Sequence, residues 1–412
     1  MSNPSVSYQA ETNQHQNQIT GRKLQRMGKI KVVILSSWYD PYRIPLFREL
    51  SKKFDLTVFY SMRTEVGREW NVPEKLPFKA IFFEPFFLWK TKQMFEELLL
   101  IRYPKGLLRE LFRIKPDVIV GLEARIDCII GAMWARLTGR GYITWSDLTI
   151  YFDMCMGSIR RSNRRMMLAL SHAAIGSCTD SLKYFNEIFG YPAERAFLSS
   201  LNGYIEDRIA DTVVFAGDKA EQFDDGKVRF VFVGRLIELK GLDLLLKAFA
   251  RLLERAPEAQ LTIIGNGPEQ DALETLAREL GCRDSIIFQG SVPYEKVLHE
   301  MSRHDVFVLP TRLDVFGLVV SEAIACGLPV ICSHYAGAAN DLVQENGIIV
   351  DPENLDELTG AMEKLACNPQ LRRQMVAAGK AVLQQYDLQS AVDGFTEAIH
   401  WACRKTGRAI AP

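Results

Sequence analysis

Two series of short apolar runs divide the chain, and each run is followed by a longer amphipathic stretch. The runs are typical of strands buried in a parallel sheet, and the stretches between them have helical periodicity. Strands are therefore predicted at residues 30–35, 56–60, 80–83, 118–121, 142–145 and 173–177, and again at residues 228–233, 261–264, 286–292, 306–309, 330–332 and 347–350. This alternation predicts an α/β protein with two Rossmann-like, doubly wound domains.

Polar segments indicate the limits of these domains. Residues 1–27 are rich in Gln, Asn, Ser and Thr, so they form a predicted disordered tail without chemistry, and translation is expected to start at Met1 or at Met27. The first domain is expected at residues 28–205, a linker at residues 206–226 and the second domain at residues 227–385. A final helix and its tail are expected at residues 386–412.

Composition argues against several classes of protein. A chain of 412 residues is too long for one compact core. The 50 basic and 50 acidic residues give a formal net charge of zero, which does not indicate a nucleic-acid-binding protein. The 8 cysteines form no Cys-x-x-Cys pair, so we expect a reduced cytoplasmic setting rather than a zinc site or a disulfide framework. We expect neither a membrane-spanning segment nor a signal peptide.

An acidic loop and a helix follow the strand predicted at residues 306–309. The loop contains Asp314, passes through Phe316 and Gly317, and leads into a predicted helix that carries Glu322. The first amides of a helix attract anions such as a diphosphate, and the two carboxylates could bind sugar and ribose hydroxyls. This pattern suits a nucleotide-sugar. The alternative is an ordinary strand–helix crossover in which Asp314 begins the helix and Glu322 is solvated.

A second loop supplies positive charge. Gly234 and Gly241 enclose Arg235 and Lys240 directly after the strand predicted at residues 228–233. Two fixed cations opposite a helix amino end would hold a diphosphate leaving group, so we expect neither a divalent metal nor a cofactor. The loop after the first strand of the chain lacks the glycine-rich dinucleotide fingerprint, which argues against a nicotinamide or flavin dehydrogenase.

Together these motifs resemble those of the retaining GT-B glycosyltransferases of group 1 (family 4). The resemblance rests on Gly-Arg-x-x-x-x-Lys-Gly at residues 234–241, on Phe316-Gly317, and on Glu-Ala-x-Ala-Cys-Gly-x-Pro-Val at residues 322–330. Asp314 stands where that family usually has Glu. The resemblance implies two domains that face a cleft, a final helix that crosses back to the first domain, and metal-independent transfer of a sugar from a nucleotide-diphosphate-sugar. A polyprenyl-linked oligosaccharide, a lipopolysaccharide core or a glycolipid would each fit as the acceptor.

The resemblance also implies the site residues. Catalytic roles are expected for Arg235, Lys240, Asp314 and Asp147. Asp147 matches the acid of the family's His-Asp pair, and Ser146 replaces the histidine. Donor contacts are expected from a larger set: Gly234, Arg235, Lys240, Gly265, Asn266, Gly267, Gly290, Val292, Asp314, Phe316, Gly317, Leu318 and Glu322.

Three further features of the first domain leave alternatives open. Tyr42 and Arg43 are expected to contact the acceptor or a phosphate, although a surface salt bridge would also account for Arg43. The aromatic stretch at residues 81–92 fits either a core strand or a segment in a lipid interface. A basic cluster is either a solvated helix face or a contact with anionic lipid at the inner face of the cell membrane; it consists of Arg160, Arg161, Arg164 and Arg165.

Two other functions are compatible with this fold, because a fold does not determine its chemistry. One is a nucleotide-sugar epimerase or a phosphorylase. The other is a catalytically inactive subunit that retains the donor contacts.

Overall fold

The computed structural model describes residues 28–63, 72–92, 98–154, 157–210 and 227–408. The tail predicted at residues 1–27 lies outside the described residues. Most of the predicted linker also lies outside them, and its first residues belong to a short helix, Ile205–Ala210.

Within the described residues, a seven-stranded parallel sheet forms the centre of the first domain, in the order β3-β2-β1-β6-β7-β8-β9. Its strands are β1 (Lys31–Ser36), β2 (Asp55–Tyr60), β3 (Lys79–Phe82), β6 (Val118–Leu122), β7 (Gly141–Ser146), β8 (Ala173–Gly176) and β9 (Ala196–Leu198). The central strands β6 and β7 are buried at every position. Their burial at every position reflects helices on both faces of the sheet.

A separate hairpin follows β3. Strand β4 (Pro85–Lys92) pairs antiparallel with β5 (Leu98–Pro104). The aromatic stretch at residues 81–92 therefore contains the end of β3 and the whole of β4, rather than a single core strand. Whether this segment enters a lipid interface stays a prediction.

The helices of the first domain cover both faces of its sheet. They are α1 (Ile44–Lys53), α2 (Leu107–Ile114), α3 (Ile126–Leu137), α4 (Ile150–Met154), α5 (Ser158–Leu170) and α6 (Thr179–Phe189), followed by α7 (Ile205–Ala210). Val32 and Ile34 of β1 pack in one hydrophobic core with α1, and Val33 and Leu35 pack in another with α3. Alternate residues of the strand thus face opposite layers.

The second domain repeats this architecture. Its parallel sheet has the order β12-β11-β10-β13-β14-β15. The strands are β10 (Arg229–Val233), β11 (Gln260–Ile264), β12 (Ile286–Gly290), β13 (Val306–Leu309), β14 (Val330–Ser333) and β15 (Gly347–Val350). The helices are α8 (Leu242–Leu253), α9 (Gln270–Glu279), α10 (Val297–Met301), α11 (Leu318–Ala325), α12 (Ala339–Leu342), α13 (Leu355–Ala366) and α14 (Pro369–Gln385).

The last helix, α15 (Leu388–Lys405), returns to the first domain. It contacts α1 and strands β7, β8 and β9. Phe395 in its centre is fully buried, and its ring lies edge-on to Trp145 with 4.9 Å between centroids. This confirms the predicted crossing. Among the described residues, no helix combines the length and the apolar character that a membrane crossing requires.

Both sheets reverse their strand order next to their first strand. The reversal lies between β1 and β6 in the first domain and between β10 and β13 in the second. In open parallel sheets, ligands bind beyond the carboxyl ends of the strands at such a reversal. In the second domain the loops at this position are residues 234–241 and 310–317.

Phe395→Ala should destabilise the first domain, because it removes a buried aromatic side chain from the core that α15 shares with the sheet. The expected loss is about 3–5 kcal/mol in the free energy of unfolding, measured by urea denaturation. Glu397→Ala, at an exposed position of the same helix, is the matched control and should change this free energy by less than about 0.5 kcal/mol. Equal stability of the two variants would contradict the observed packing of α15.

Candidate active site

Lys240 lies next to the loop that contains Asp314. Its Nζ donates a hydrogen bond to Asp314 Oδ2 and forms an ion pair with it. The backbones of the two loops are also joined, because the Arg312 amide donates to the Leu239 carbonyl at 2.8 Å. The cation expected to bind a diphosphate is therefore positioned at the strand-order reversal of the second sheet.

The part of this loop that contains Arg235 packs against the neighbouring loop at residues 265–269. The Leu236 amide donates to the Asn266 carbonyl at 2.9 Å. A Cβ at Gly265, whose φ is 138°, would lie 1.9 Å from the Gly234 carbonyl oxygen, so only glycine fits there. Arg235 is exposed at this edge of the domain.

Gly317 begins helix α11 with a φ of 83°, in the left-handed region that favours glycine. The side chain of Phe316 before it is buried. The first amides of α11 have no acceptor within the helix, and they carry the positive end of its dipole. This helix end lies at the same carboxyl edge of the sheet as Lys240, so an anion at this edge would meet both.

The Asp314 loop is paired with a turn that faces the first domain. The Asp314 amide donates to the Tyr335 carbonyl at 3.2 Å, and the Gly337 amide donates to the Asp314 carbonyl at 3.1 Å. A Cβ at Gly337 would lie only 3.2 Å from Thr149 Cγ2 of the first domain. The loop after β7, which also contains Asp147, therefore meets the Asp314 side of the second domain across the cleft.

Asp147 and Arg43 contact each other inside the first domain. Arg43 Nη2 donates to Asp147 Oδ2, and Ser177 Oγ donates to Asp147 Oδ1. The guanidinium carbon of Arg43 lies 4.7 Å from the centroid of the Trp145 ring. Burial lowers the pKa of Arg43, but Asp147 and then Asp40 outweigh burial and raise that pKa. Both charges are thus paired within the domain, and their predicted contacts with ligands stay predictions.

Glu123 anchors the same loop from the end of β6. Its φ of 64° is rare for a residue with a side chain. Its carboxylate accepts hydrogen bonds from Ser146 Oγ at 2.7 Å and from the Asp147 amide at 2.9 Å. Arg164 Nη2 donates to the second carboxylate oxygen at 3.0 Å. These bonds hold the left-handed backbone and orient the loop that contains Asp147.

The predicted basic cluster of α5 is divided between two sides of the helix. Arg164 is buried, and besides Glu123 it contacts the Tyr184 hydroxyl at 2.8 Å. The expectation that Arg164 contacts a membrane is therefore wrong, because helical periodicity turns this position toward the core. Arg161 and Arg165 remain exposed.

Glu322, which is expected to contact a ribose, is held by the segment that leaves the first domain. Arg208 of α7 forms an ion pair with Glu322 Oε1, and the Tyr204 hydroxyl donates to the same oxygen at 3.3 Å. Burial raises the pKa of Glu322, and Arg208 and Tyr204 oppose that rise. Burial and then the charge of Glu322 raise the pKa of Tyr204 well above its usual value, so its hydroxyl stays a donor. A ligand hydroxyl that binds Glu322 would share its carboxylate with Arg208.

Three residues near the cleft were missed by sequence reasoning: Arg208, Tyr294 and Arg312. The guanidinium carbon of Arg208 lies 3.7 Å from the centroid of the Tyr294 ring, and Tyr42 packs edge-on against that ring at 5.7 Å. Arg312 forms a bidentate pair with Asp243 at 2.7 and 2.9 Å, which steadies the loops around Lys240. Arg312 had one available signal, its position two residues before Asp314.

The remaining expected donor residues lie along the same edge of the second sheet. A Cβ at Gly267 would lie 2.2 Å from a backbone oxygen of the Arg235 loop. Gly290 has a φ of 75° and ends β12, Val292 follows it, and Leu318 is the first residue of α11. Their contacts with a donor stay predictions. Among the described residues, no group of three or more His, Cys, Asp and Glu side chains could hold a metal ion.

Arg208→Ala should destabilise the protein by about 3–5 kcal/mol, because it leaves the buried Glu322 carboxylate without its cation. The double variant Arg208→Ala/Glu322→Gln should recover most of this loss, since a neutral amide needs no counter-charge. A double-mutant cycle in urea denaturation measures the coupling. Arg251→Ala, which breaks an exposed ion pair with Asp356, is the control and should cost less than about 1 kcal/mol. Purely additive effects of the two substitutions would rule out the pair.

Sequence comparison finds similar proteins chiefly for the second domain. Residues 216–382 match the family described as glycosyl transferases group 1. Over 158 residues the chain is 34% identical to the GDP-mannose-dependent alpha-(1-6)-phosphatidylinositol monomannoside mannosyltransferase of Mycolicibacterium smegmatis. This alignment covers 36% of this chain and 41% of that protein. Over 206 residues it is 29% identical to the alpha-D-kanosaminyltransferase of Streptomyces kanamyceticus, covering 49% of this chain and 53% of that protein. The similarity thus spans about half of these relatives or less.

Solved structures are similar over nearly the whole chain. HepE of Anabaena in complex with UDP superposes with a TM-score of 0.66 at 15% identity and covers 90% of this chain and 100% of its own. The lipopolysaccharide outer core galactosyltransferase WaaB superposes with a TM-score of 0.66 at 15% identity and covers 90% of this chain and 99% of its own. At this identity the likeness concerns the fold. The chain therefore has the GT-B fold, and the part that contains Lys240 and Asp314 matches the group 1 glycosyltransferases.

Proposed function

We propose that this protein is a retaining glycosyltransferase that moves a sugar from a nucleotide-diphosphate-sugar to a glycan or a lipid-linked acceptor. One observation carries the proposal. Lys240 and the Asp314 loop meet beside the amino end of α11, at the strand-order reversal of the second sheet. This arrangement offers positive charge and hydrogen-bond donors to a diphosphate and a carboxylate to a sugar.

The chemistry follows from where charge develops. When the bond between the anomeric carbon and the diphosphate breaks, negative charge grows on the phosphate oxygens and the sugar becomes oxocarbenium-like. Arg235, Lys240 and the first amides of α11 stabilise the departing diphosphate. The acceptor hydroxyl attacks from the face that the diphosphate leaves, and a leaving phosphate oxygen accepts its proton. Because the cations supply the counter-charge, the proposed reaction uses neither a metal nor a cofactor.

The rest of the donor is proposed to lie along the same edge of the second domain. Glu322 binds the ribose hydroxyls once Arg208 shares its carboxylate, and the residues around Gly290 and Val292 line the base pocket. Asp314 binds hydroxyls of the sugar. Binding of UDP by HepE, a protein of the same fold, supports a nucleotide-sugar as the donor.

The acceptor is proposed to bind in the first domain, beside Tyr42 and the loop that contains Asp147. The relatives' names support a glycolipid or a lipopolysaccharide, since one acts on a phosphatidylinositol monomannoside and a structural neighbour is a lipopolysaccharide outer core galactosyltransferase.

We place the reaction in cell-surface polysaccharide, lipopolysaccharide or glycolipid biosynthesis, in the cytoplasm at the inner face of the membrane.

Lys240→Ala should lower turnover by roughly 10²–10³-fold, because it removes one donor to the charge that develops on the diphosphate. A thermal-shift screen of nucleotide-sugars first identifies the donor, and release of nucleoside diphosphate in the presence of a lipid-linked acceptor then measures turnover. Arg251→Ala removes a cation from the exposed surface of the same domain and should leave turnover unchanged. Wild-type turnover by Lys240→Ala would refute the phosphate role of this residue.

Product stereochemistry tests the retaining mechanism directly. With an α-linked nucleotide-sugar, proton NMR of the product should show an α-glycosidic linkage, since the acceptor attacks the face that the diphosphate leaves. A β-linkage would refute retention while leaving sugar transfer intact. Release of an epimerised sugar without acceptor would indicate the epimerase alternative, and donor binding without any release would indicate an inactive binding subunit.

A further inference from the structure

The first domain exposes an unusual amount of apolar surface on three neighbouring helices. Of the nine large hydrophobic side chains that are exposed in the described residues, two lie on α2, three on α3 and two on α5. Only two lie in the second domain. Scattered exposed hydrophobic residues are common on soluble proteins, but a concentration on one side of a domain indicates a binding surface.

Helix α3 contributes the largest share of these side chains, three of the seven on the three helices. Its inner side packs Cys128 and Ala132 into the core with no exposure. Its outer side carries Ile126, Met133 and Leu137, which are 40%, 54% and 84% exposed. A helix at the surface of a globular protein normally has a polar outer side, whereas α3 is apolar on both.

Helix α3 contacts both of the other helices. Phe112 of α2 packs edge-on against Trp134 of α3 with 5.8 Å between ring centroids. Helix α3 also contacts α5, where Ile159 and Met166 are exposed. We call the exposed side chains of α2, α3 and α5 the basic apolar face.

Positive charge predominates on this face. The exposed charged residues of the three helices are all arginines: Arg109, Arg113, Arg136, Arg161 and Arg165. Of the two acids on these helices, Glu110 pairs with Arg113 and Asp127 is buried. Arg161 pairs with the buried Asp153 of α4, so the surplus positive charge lies mainly on Arg109, Arg136 and Arg165. Because the whole chain has a formal net charge of zero, this excess of arginine is local. Two copies of the chain that met through this face would bring arginine against arginine.

We propose that the basic apolar face docks on an anionic lipid bilayer. Arginines would lie at the lipid phosphates, and the side chains of α3 would enter the boundary between headgroups and acyl chains. This surface differs from the arginine cluster expected from the sequence, because it excludes the buried Arg164 and includes exposed apolar side chains of α2 and α3. The proposal does not depend on the chemistry of the cleft.

Vesicle co-sedimentation tests the proposal. The protein should bind vesicles of mixed phosphatidylglycerol and phosphatidylcholine, should bind pure phosphatidylcholine far more weakly, and should lose affinity as salt is added. Met133→Glu/Leu137→Glu should weaken binding by roughly tenfold or more, since each substitution removes apolar burial and adds a repelled charge. Arg136→Gln/Arg165→Gln should weaken binding to the mixed vesicles and reduce its salt dependence, at roughly fivefold per arginine.

Ile287→Glu is the matched control, because Ile287 is 52% exposed but lies in the second domain. It should bind vesicles as the wild type does, and circular dichroism should show all variants folded. Three outcomes would overturn the proposal: equal binding to both vesicle types, undiminished binding by the α3 variant, or no binding by the wild type. Dimers of the wild type in solution that the α3 variant abolishes would instead assign this face to a second copy of the chain.

Discussion

The ion pair between Lys240 and Asp314 is the contact on which the arrangement of the cleft depends. It joins the loops that follow β10 and β13, the two strands between which the second sheet reverses its order. In a doubly wound sheet the connections on either side of this point lead to opposite faces, so a crevice opens there. The pairing of Lys240 with Asp314 across that crevice holds both side chains at its entrance. The glycines of the neighbouring loops then allow backbones to pack closely enough for this geometry.

The two domains meet around this crevice through side chains that belong to neither sheet. Glu322 of the second domain is held by Arg208 and Tyr204, which lie on the segment that leaves the first domain. At another point the Thr179 amide donates to Asp341 at 2.8 Å. Glu322 is expected to contact the donor, and it also joins the two domains. Donor binding is therefore linked to the relative position of the domains.

Local patterns were sufficient for most strands of the two parallel sheets and for the loops that carry charge, but not for β4, β5 and β9. Strand Val306–Leu309 agrees with the predicted residues 306–309 at both ends, because it is a short apolar run that Pro310 follows directly. Contacts between distant residues were not predictable in this way. Arg208 and Glu322 are separated by 114 positions, and no local signal connects them. Arg164 was assigned to the surface because a run of arginines hides which member of the helix faces the core.

The return of α15 has a consequence for how the chain reaches its native state. Phe395 and Ile399, near the end of the sequence, complete a hydrophobic core with Val32 and Ile34, near its beginning. During synthesis the whole second domain leaves the ribosome before this helix does. The first strands of the chain are therefore synthesised long before α15, which packs against them, becomes available. The amino-terminal half therefore matures last, and contacts of such long sequence separation form slowly. Until then its uncovered strands are a natural target for chaperones.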